Sequence, residues 1–355
     1  MDKKKLVGDR LQMARQAHGL SLRALAEKLE ISAQALSKYE RGADMPGSTI
    51  LLAMAKFFGV RVDYFCRANQ VVMTDGPEFR AKNAFRIKQQ NTLQARIQDW
   101  LERYEQAEAL FPKEQPKISP LFENPAEITS DEEIEALALK VRKTWGLGTA
   151  PIPPKGLIPL LEDHGVRVYL IDAPDSFDAV KFKANGYPVI VAQKNVPGDR
   201  IRFDIAHELG HFLIRTPETG TKRERERPAM KFAGAFLVPA TVVRQELGST
   251  RSQITIEELA ILKAKYGLSM GGWLFRAKIL GIITEFQAVH YFRMFQKLGF
   301  RLKEPGDQYP PEESTRLERL VMRAHSESLI SESRAAEILG VTINQLRKDR
   351  LCIDE

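Results

Sequence analysis

The 355-residue sequence predicts a multidomain protein that is mainly α-helical with a small β-sheet, an α+β architecture. Apolar residues recur at helical spacing along most of the chain, and Gly, Pro, Ser or Thr residues separate the short helical segments. Strand-like runs are few, and Val189–Ala192 is a clear buried one. A chain of 355 residues is long enough for two or three domains.

The composition excludes several classes of protein. Hydrophobic residues make up 43% of the chain and charged residues 28%, as in globular proteins and unlike a disordered chain. With 23 Gly, 19 Pro and 2 Cys, the collagen-like and disulfide-rich classes are excluded. Met1–Lys5 is charged, and no apolar run reaches about 18 residues, so we expect neither a signal peptide nor a membrane span. The expected compartment is a reducing cytoplasm.

Changes of pattern along the chain predict four segments. A polar helical pattern runs from Asn91 to Leu110, and prolines from Pro112 onward end it and form a linker. The predicted segments are a five-helix domain at 1–70, a helical linker at 71–129, an α+β domain at 130–300 and a helical module at 301–355.

Residues 20–42 have the pattern of a helix-turn-helix. Ser21 is placed to cap a first helix with an apolar stripe, and a short turn follows at Glu30–Ile31. Ser32 is placed to cap a second helix over Ala33–Arg41. The second helix of such a motif enters the major groove of DNA, and its N-terminal residues contact the base edges.

The second helix offers side chains that suit base contacts. Gln34 can pair with adenine through two hydrogen bonds, and Lys38 can reach guanine or phosphate. Residues 1–70 contain twelve Lys or Arg and seven Asp or Glu, so they hold +5 of the net charge of +7, which favours a polyanionic partner. A merely solvated basic face is the alternative. The candidate DNA-binding residues are Ser32, Ala33, Gln34, Ser37, Lys38 and Arg41, and we expect Arg10 and Arg15 to hold the DNA backbone.

The run from Leu20 to Gly42, with the trailing Phe58–Val60 and Tyr64-Phe65, resembles the phage-repressor-like (XRE/Cro) family of DNA-binding domains. The resemblance covers about residues 6–68 and implies binding to double-stranded operator DNA. Because helix-turn-helix dimers read half-sites about 34 Å apart, we expect a homodimer on a pseudo-palindromic operator. A helical bundle without a role in DNA binding is the alternative.

A second pattern, in Phe203–Phe212, points to a metal site. His207 and His211 are four residues apart, so on a helix they share one face and can bind one Zn²⁺. Glu208 lies beside them and can act as general base toward a water activated by the metal. Three ionisable groups in so apolar a segment are costly without a metal or paired charges. Two ordinary buried histidines are the alternative.

A catalytic zinc site needs a third protein ligand and one open position. The sequence predicts a second buried helix from Ala229 onward, which Pro239 ends, with Pro228 tolerated in its first turn. Glu226 opens this helix and is the first candidate for the third ligand. Glu224 is the second candidate, and two solvated carboxylates are the alternative.

These two segments resemble the ImmA/IrrE metallopeptidase family, which joins a buried HELGH helix to a helix ending F-A-x-x-L-x-P, here Phe232–Pro239. The resemblance covers about residues 130–285 and implies a zincin-like domain with Zn²⁺ as cofactor. By this match the metal ligands are His207, His211 and Glu226, and Glu208 is the catalytic base. The resemblance also implies regulated cleavage of a repressor protein in a stress response or in mobile-element control.

The helical module at the C-terminus has the same sequence pattern as residues 20–42. Ser331 and Thr342 are placed to cap two short helices on either side of Gly340-Val341, which predicts a second helix-turn-helix. Asn344, Gln345, Arg347 and Lys348 would suit a DNA contact, whereas several acidic residues argue against one. We therefore expect a packing or dimerisation module. The acidic residues are Glu332, Glu337, Asp349, Asp354 and Glu355.

Together these patterns predict a DNA-binding transcriptional regulator with a zinc-dependent metallopeptidase domain, and the family resemblance implies that this domain cleaves a repressor protein. The alternative is a non-enzymatic repressor whose metal-binding fold senses a ligand or stabilises a dimer. We expect Asp199 and Arg200–Arg202, which precede the HELGH pattern, to lie in a solvated loop.

Overall fold

The computed structural model describes residues 2–67, 73–74, 87–215, 219–300 and 303–351. The chain divides into two compact units, a terminal unit of Met1–Gln115 with Thr315–Glu355 and a central unit of Pro116–Ser314. The predicted fold class is confirmed, because the protein is mainly helical with a small sheet. In the described residues no helix has both the length and the apolar character that a bilayer crossing requires.

The terminal unit begins with the predicted five-helix domain. Leu11, Leu25, Leu36 and Phe65 are fully buried in its core. Gly8 lets the first and third helices approach closely, because a Cβ there would collide with backbone carbonyls of the third helix. The elements are α1 (Lys3–Ala17), α2 (Leu22–Lys28), α3 (Ala33–Glu40), α4 (Ser48–Phe58), a 3₁₀ helix (Val62–Cys66), the short strand β1 (Met73–Thr74) and α5 (Ile87–Glu108).

The helix-turn-helix of α2 and α3 has the caps that the sequence predicts. The Ser21 hydroxyl accepts a hydrogen bond from the Ala24 N–H at 3.1 Å, and the Ser32 hydroxyl accepts one from the Ala35 N–H at 3.0 Å. Each bond satisfies an amide that has no partner within its own helix. Between the helices, Glu30 adopts the left-handed conformation at φ 54° that makes the turn.

In the described residues of the central unit, three strands form a sheet beside eight α-helices. Strand β4 lies in the middle, parallel to β2 on one side and antiparallel to β3 on the other, and it contains the predicted strand Val189–Ala192. The strands are β2 (Arg167–Ile171), β3 (Ala179–Ala184) and β4 (Tyr187–Gln193). The helices are α6 (Asp131–Thr144), α7 (Leu157–Asp163), α8 (Gly198–Leu213), α9 (Lys222–Leu237), α10 (Ala240–Leu247), α11 (Ile256–Tyr266), α12 (Met270–Ile279) and α13 (Glu285–Lys297).

Two expectations about α8 and α9 are wrong. Helix α9 begins at Lys222 rather than near Ala229, because the Thr221 side chain and the Glu224 side chain form a reciprocal capping box. Pro228 therefore lies inside the helix and not in its first turn. Helix α8 begins at Gly198, so Asp199 and Arg202 belong to the helix and are buried rather than in a solvated loop.

The C-terminal part of the terminal unit is a set of three helices, α14 (Arg316–Ser326), α15 (Glu332–Leu339) and α16 (Ile343–Leu351). Helix α5 packs against α1 and also against α14 and α15. Both predicted helix-turn-helix motifs therefore belong to one compact unit. Cys352, Asp354 and Glu355 lie outside the described residues.

Candidate metal centre

The close approach of α8 and α9 positions the site. Gly210 lies at the crossing, where a Cβ would be 3.0 Å from the Phe232 ring and 3.2 Å from the Ala229 Cα. Because Gly210 has no side chain, α9 can pack directly on the α8 face that carries the two histidines. Glu226 lies one turn before Ala229 on α9 and so faces this pair.

The structure brings His207, His211 and Glu226 together in a triangle of donor atoms. The two Nε2 atoms are 3.1 Å apart, and they lie 3.1 Å (His207) and 2.9 Å (His211) from Oε2 of Glu226. These residues form a group that could hold a metal ion. His211 is buried, and the other two are half-buried.

A shared cation accounts for this triangle better than hydrogen bonds do. If both Nε2 atoms carry a proton, both can donate to Glu226, but two N–H groups then face each other. If only one carries a proton, one side of the triangle has no donor. Three donors at about 2.0–2.1 Å from a tetrahedral zinc lie about 3.3 Å from one another, close to the spacing found here. The residues present therefore fit a zinc ion.

Glu224, the second candidate for the third ligand, caps the start of α9. Its carboxylate accepts hydrogen bonds from the Thr221 N–H at 2.7 Å and from the Thr221 hydroxyl at 2.9 Å. These bonds lower the pKa of Glu224. Its carboxylate is thus engaged at the start of α9, whereas the Glu226 carboxylate contacts both histidines.

Two carboxyl groups, one in the triangle and one next to it, have shifted pKa values. Hydrogen bonds from His207 and His211 hold the pKa of Glu226 well below its usual range. Burial raises the pKa of Glu208, and the Glu226 carboxylate raises it further. A desolvated carboxyl group beside a metal site is suited to accept and return a proton.

Asp204 is a residue of this helix face that the sequence analysis missed. It precedes Glu208 by one helical turn, and burial together with the Asp178 carboxylate raises its pKa to about 7. Arg200 pairs with Asp178, and its Nε is 3.8 Å from the Asp204 carboxylate. The spacing of four residues from Glu208 is the signal that could have found it.

Buried arginines that hold α9 were also missed as supports of the site. Arg142 on α6 is fully buried and donates hydrogen bonds to the carbonyls of Phe236 at 2.6 Å and Gly148 at 2.7 Å. Arg276 on α12 is also buried; it packs so closely on Gly234 of α9 that a Cβ there would be 2.9 Å from its Cδ, and it pairs with Glu135 of α6 at 3.0 Å. Because α9 carries Glu226, these contacts fix the third corner of the triangle.

In the terminal unit, α3 leaves its predicted DNA-binding side chains accessible. Ser32, Gln34, Lys38 and Arg41 are exposed, and Ala33 and Ser37 are half-buried. The Ser32 hydroxyl is engaged as the helix cap, so the freest of these groups for base contacts are on Gln34 and Lys38.

The expectation that Arg10 and Arg15 hold the DNA backbone is wrong. Arg10 is buried, forms an ion pair with Glu102 and donates to the Arg67 carbonyl at 2.8 Å. Arg15 holds Glu40 through two hydrogen bonds of 2.6 and 2.8 Å. Both guanidinium groups are committed to the interior of the unit.

Comparison with known families agrees with these two sites. Residues 11–65 match the helix-turn-helix family, and residues 161–278 match the IrrE N-terminal-like domain family. The chain joins a helix-turn-helix domain to an IrrE N-terminal-like domain. No curated protein has a sequence that matches the chain.

The two matched domains contain the residues that the structure gathers. The IrrE N-terminal-like domain includes the whole triangle and Glu208, whereas Arg142 lies before its first matched residue. The helix-turn-helix match includes α2, α3 and α4 and ends before α5. The chain therefore carries a DNA-binding type of domain and a metallopeptidase-like domain.

Proposed function

We propose that this protein is a DNA-binding transcription regulator whose IrrE N-terminal-like domain is a zinc-dependent endopeptidase that cleaves a repressor protein. The observation that carries the proposal is the triangle of His207, His211 and Glu226 with Glu208 beside it on the same helix. Three protein donors leave one position of a tetrahedral zinc for a water molecule or substrate, as catalytic sites require.

The side chains around the triangle supply the remaining chemistry. When bound, a zinc ion acts as a Lewis acid toward a peptide carbonyl and makes a water molecule more acidic. The Glu208 carboxylate accepts the proton of the attacking water and then gives it to the leaving amide nitrogen.

The joined domains support a proposal for the substrate and the setting. A peptidase tethered to an operator-binding domain is well placed to remove a repressor, its own helix-turn-helix domain included, and so to switch transcription in a stress response or in mobile-element control. The proposal includes a homodimer on a pseudo-palindromic operator, because helix-turn-helix motifs bind DNA as pairs. It also places the protein in the cytoplasm, associated with the nucleoid.

Turnover with purified proteins tests the proposal. The full-length protein loaded with zinc is incubated with candidate repressors, including a second preparation of itself, and the fragments are identified by mass spectrometry. We expect a defined cut that chelation abolishes and zinc restores. A zinc-loaded protein that cuts none of them while still regulating its operator would favour the non-enzymatic repressor.

A further inference from the structure

The helices α15 and α16 repeat the geometry of α2 and α3. Ser331 and Thr342 are separated by the same number of residues as Ser21 and Ser32, and all four are helix caps. The Ser331 hydroxyl accepts from the Arg334 N–H at 3.3 Å, and the Thr342 hydroxyl accepts from the Gln345 N–H at 3.2 Å. The two motifs therefore start both of their helices in the same way.

The turns between the helices also correspond. In the first motif the Ile31 N–H donates to the Ala26 carbonyl at 3.0 Å, and in the second the Val341 N–H donates to the Ala336 carbonyl at 3.0 Å. The left-handed residue of each turn occupies the same position, Glu30 at φ 54° and Gly340 at φ 70°. Helix α16 is therefore the counterpart of the recognition helix α3.

Helix α16 presents a polar surface of the type that reads base edges. From Ile343 to Lys348 the one buried residue is Leu346, the counterpart of the buried Leu36 of α3. Asn344 and Gln345 are exposed near the N-terminus of the helix, the part that contacts bases in this motif. Amide side chains of this kind pair with adenine through two hydrogen bonds. Lys348, the counterpart of Lys38 in α3, is also exposed.

Two of the acidic residues of this module, Glu332 and Glu337, are paired with arginines. The Glu337 carboxylate lies 3.0 Å from Arg67 and 2.6 Å from Arg334. Glu332 lies 2.6 Å from Arg347 on α16. Both carboxylates are paired with arginines inside the terminal unit, which weakens the sequence argument against a nucleic-acid partner.

Helix α5 supports both motifs in one unit. On one side its Glu102 pairs with Arg10 of α1. On the other, Arg103 donates to the Ile338 carbonyl of α15 at 3.3 Å, and Gln106 accepts from Arg334 at 2.7 Å. Through these contacts α5 holds both helix-turn-helix motifs in the terminal unit.

We propose that α16 is a second DNA-recognition helix, with Asn344 and Gln345 contacting bases and Lys348 contacting the backbone. Each protomer then reads DNA at two helix-turn-helix motifs. This inference rests on the DNA-binding half of the proposed function and extends it beyond α3, to a module that the family matches leave unassigned.

Selection from a random duplex pool tests this inference with the full-length protein. The pool carries a random core of about 40 base pairs, which has room for several half-sites of about ten base pairs each. We expect the selected duplexes to contain a second conserved element in addition to the one that α3 reads. The double variant Asn344→Ala/Gln345→Ala should lose hydroxyl-radical protection of that element only and bind about ten-fold more weakly.

Charge and recognition controls make the test specific. Lys348→Ala should lower the slope of log affinity against log salt by about 1, whereas Lys113→Ala, an exposed lysine outside both motifs, should leave it unchanged. Gln34→Ala should disturb the first element and spare the second.

Three results would overturn the inference. An unchanged footprint and affinity in the double variant would exclude base reading by α16. A changed oligomeric state with an unchanged footprint would assign the module to packing or dimerisation. Selection of no sequence by the parent protein would refute DNA binding itself, and with it the DNA-binding half of the proposed function.

Discussion

Two helix pairs carry the two sites of this protein, and they use their polar residues in opposite ways. In α2–α3 the side chains proposed for function, above all Gln34 and Lys38, are exposed, and the buried residues are apolar apart from Glu40, which pairs with Arg15. In α8–α9 the proposed ligands sit where the helices cross, half-buried or buried, and contact one another. A small residue is buried in each pair, Ala26 in the first and Gly210 in the second, where it lets α8 and α9 approach closely.

Because of this difference, substitutions can change function without changing stability at the first site but not at the second. Replacing an exposed base-reading residue removes a contact that folding does not use. Replacing a member of the triangle leaves its partners desolvated and unpaired, so stability and function change together.

The largest effect is expected from His207→Ala. The substitution removes one of three ligands, so zinc affinity should fall by more than the about 10–100-fold that loss of an outer-shell partner costs. The midpoint temperature of thermal unfolding should also fall, because metal binding and folding are linked. Metal analysis and calorimetry check both, with the exposed His290→Ala as the matched control. Full zinc content in His207→Ala would contradict the ligand assignment.

The next comparison separates two glutamates on one helix. Glu226→Ala should lower zinc occupancy, because its carboxylate lies 2.9–3.1 Å from both histidine donors. Glu224→Ala should leave zinc bound and cost only the hydrogen bonds to Thr221. Zinc titration of both variants shows which glutamate is the ligand. If Glu224→Ala loses zinc and Glu226→Ala keeps it, the third ligand lies two residues earlier on α9.

A substitution at the helix crossing tests the packing of the site. Gly210→Ala should destabilise the protein by about 1–3 kcal/mol and weaken zinc binding, because the new methyl group meets Phe232 and Ala229. Gly271→Ala is the matched control, a helical glycine whose Cβ would meet only a side-chain oxygen at 3.9 Å. Chemical denaturation measures both, and equal stability of the two variants would refute the close crossing.

The smallest effect on stability is expected on α3. Gln34→Ala and Lys38→Ala should each weaken operator binding by about ten-fold and change the free energy of unfolding by less than about 0.5 kcal/mol. Lys56→Ala on α4 is a matched exposed lysine. Fluorescence anisotropy at fixed salt checks the affinities. If operator affinity is unchanged in both α3 variants, α3 is not the recognition helix.

The parts of the structure that local sequence determines were predictable. Ser21 and Ser32 cap their helices as expected, since a cap depends on residues within one turn. The spacing of His207 and His211 places both on one helical face for the same reason. These features need no knowledge of distant contacts.

Long-range pairing explains what the sequence did not reveal. Arg10 looked like a DNA contact until its partner Glu102 on α5 was known. Arg142 supports α9 through carbonyl groups, which carry no sequence signal. The start of α9 at Lys222 could have been predicted, because Thr221 and Glu224 have the spacing of a capping box. Pro228 instead suggested that the helix begins just before it, since proline is common in the first turn of a helix.

Repressor cleavage by Glu208→Gln, measured at equal zinc content, tests whether the metal centre is the active site of a peptidase. Glu208 is not a ligand in the triangle, so the variant should bind zinc and operator DNA like the parent. Cleavage should fall by about 10²–10⁴-fold, because the proton acceptor is lost, and derepression in the cell should fail. Cleavage at the parent rate, or normal induction without any cleavage, would contradict the peptidase function.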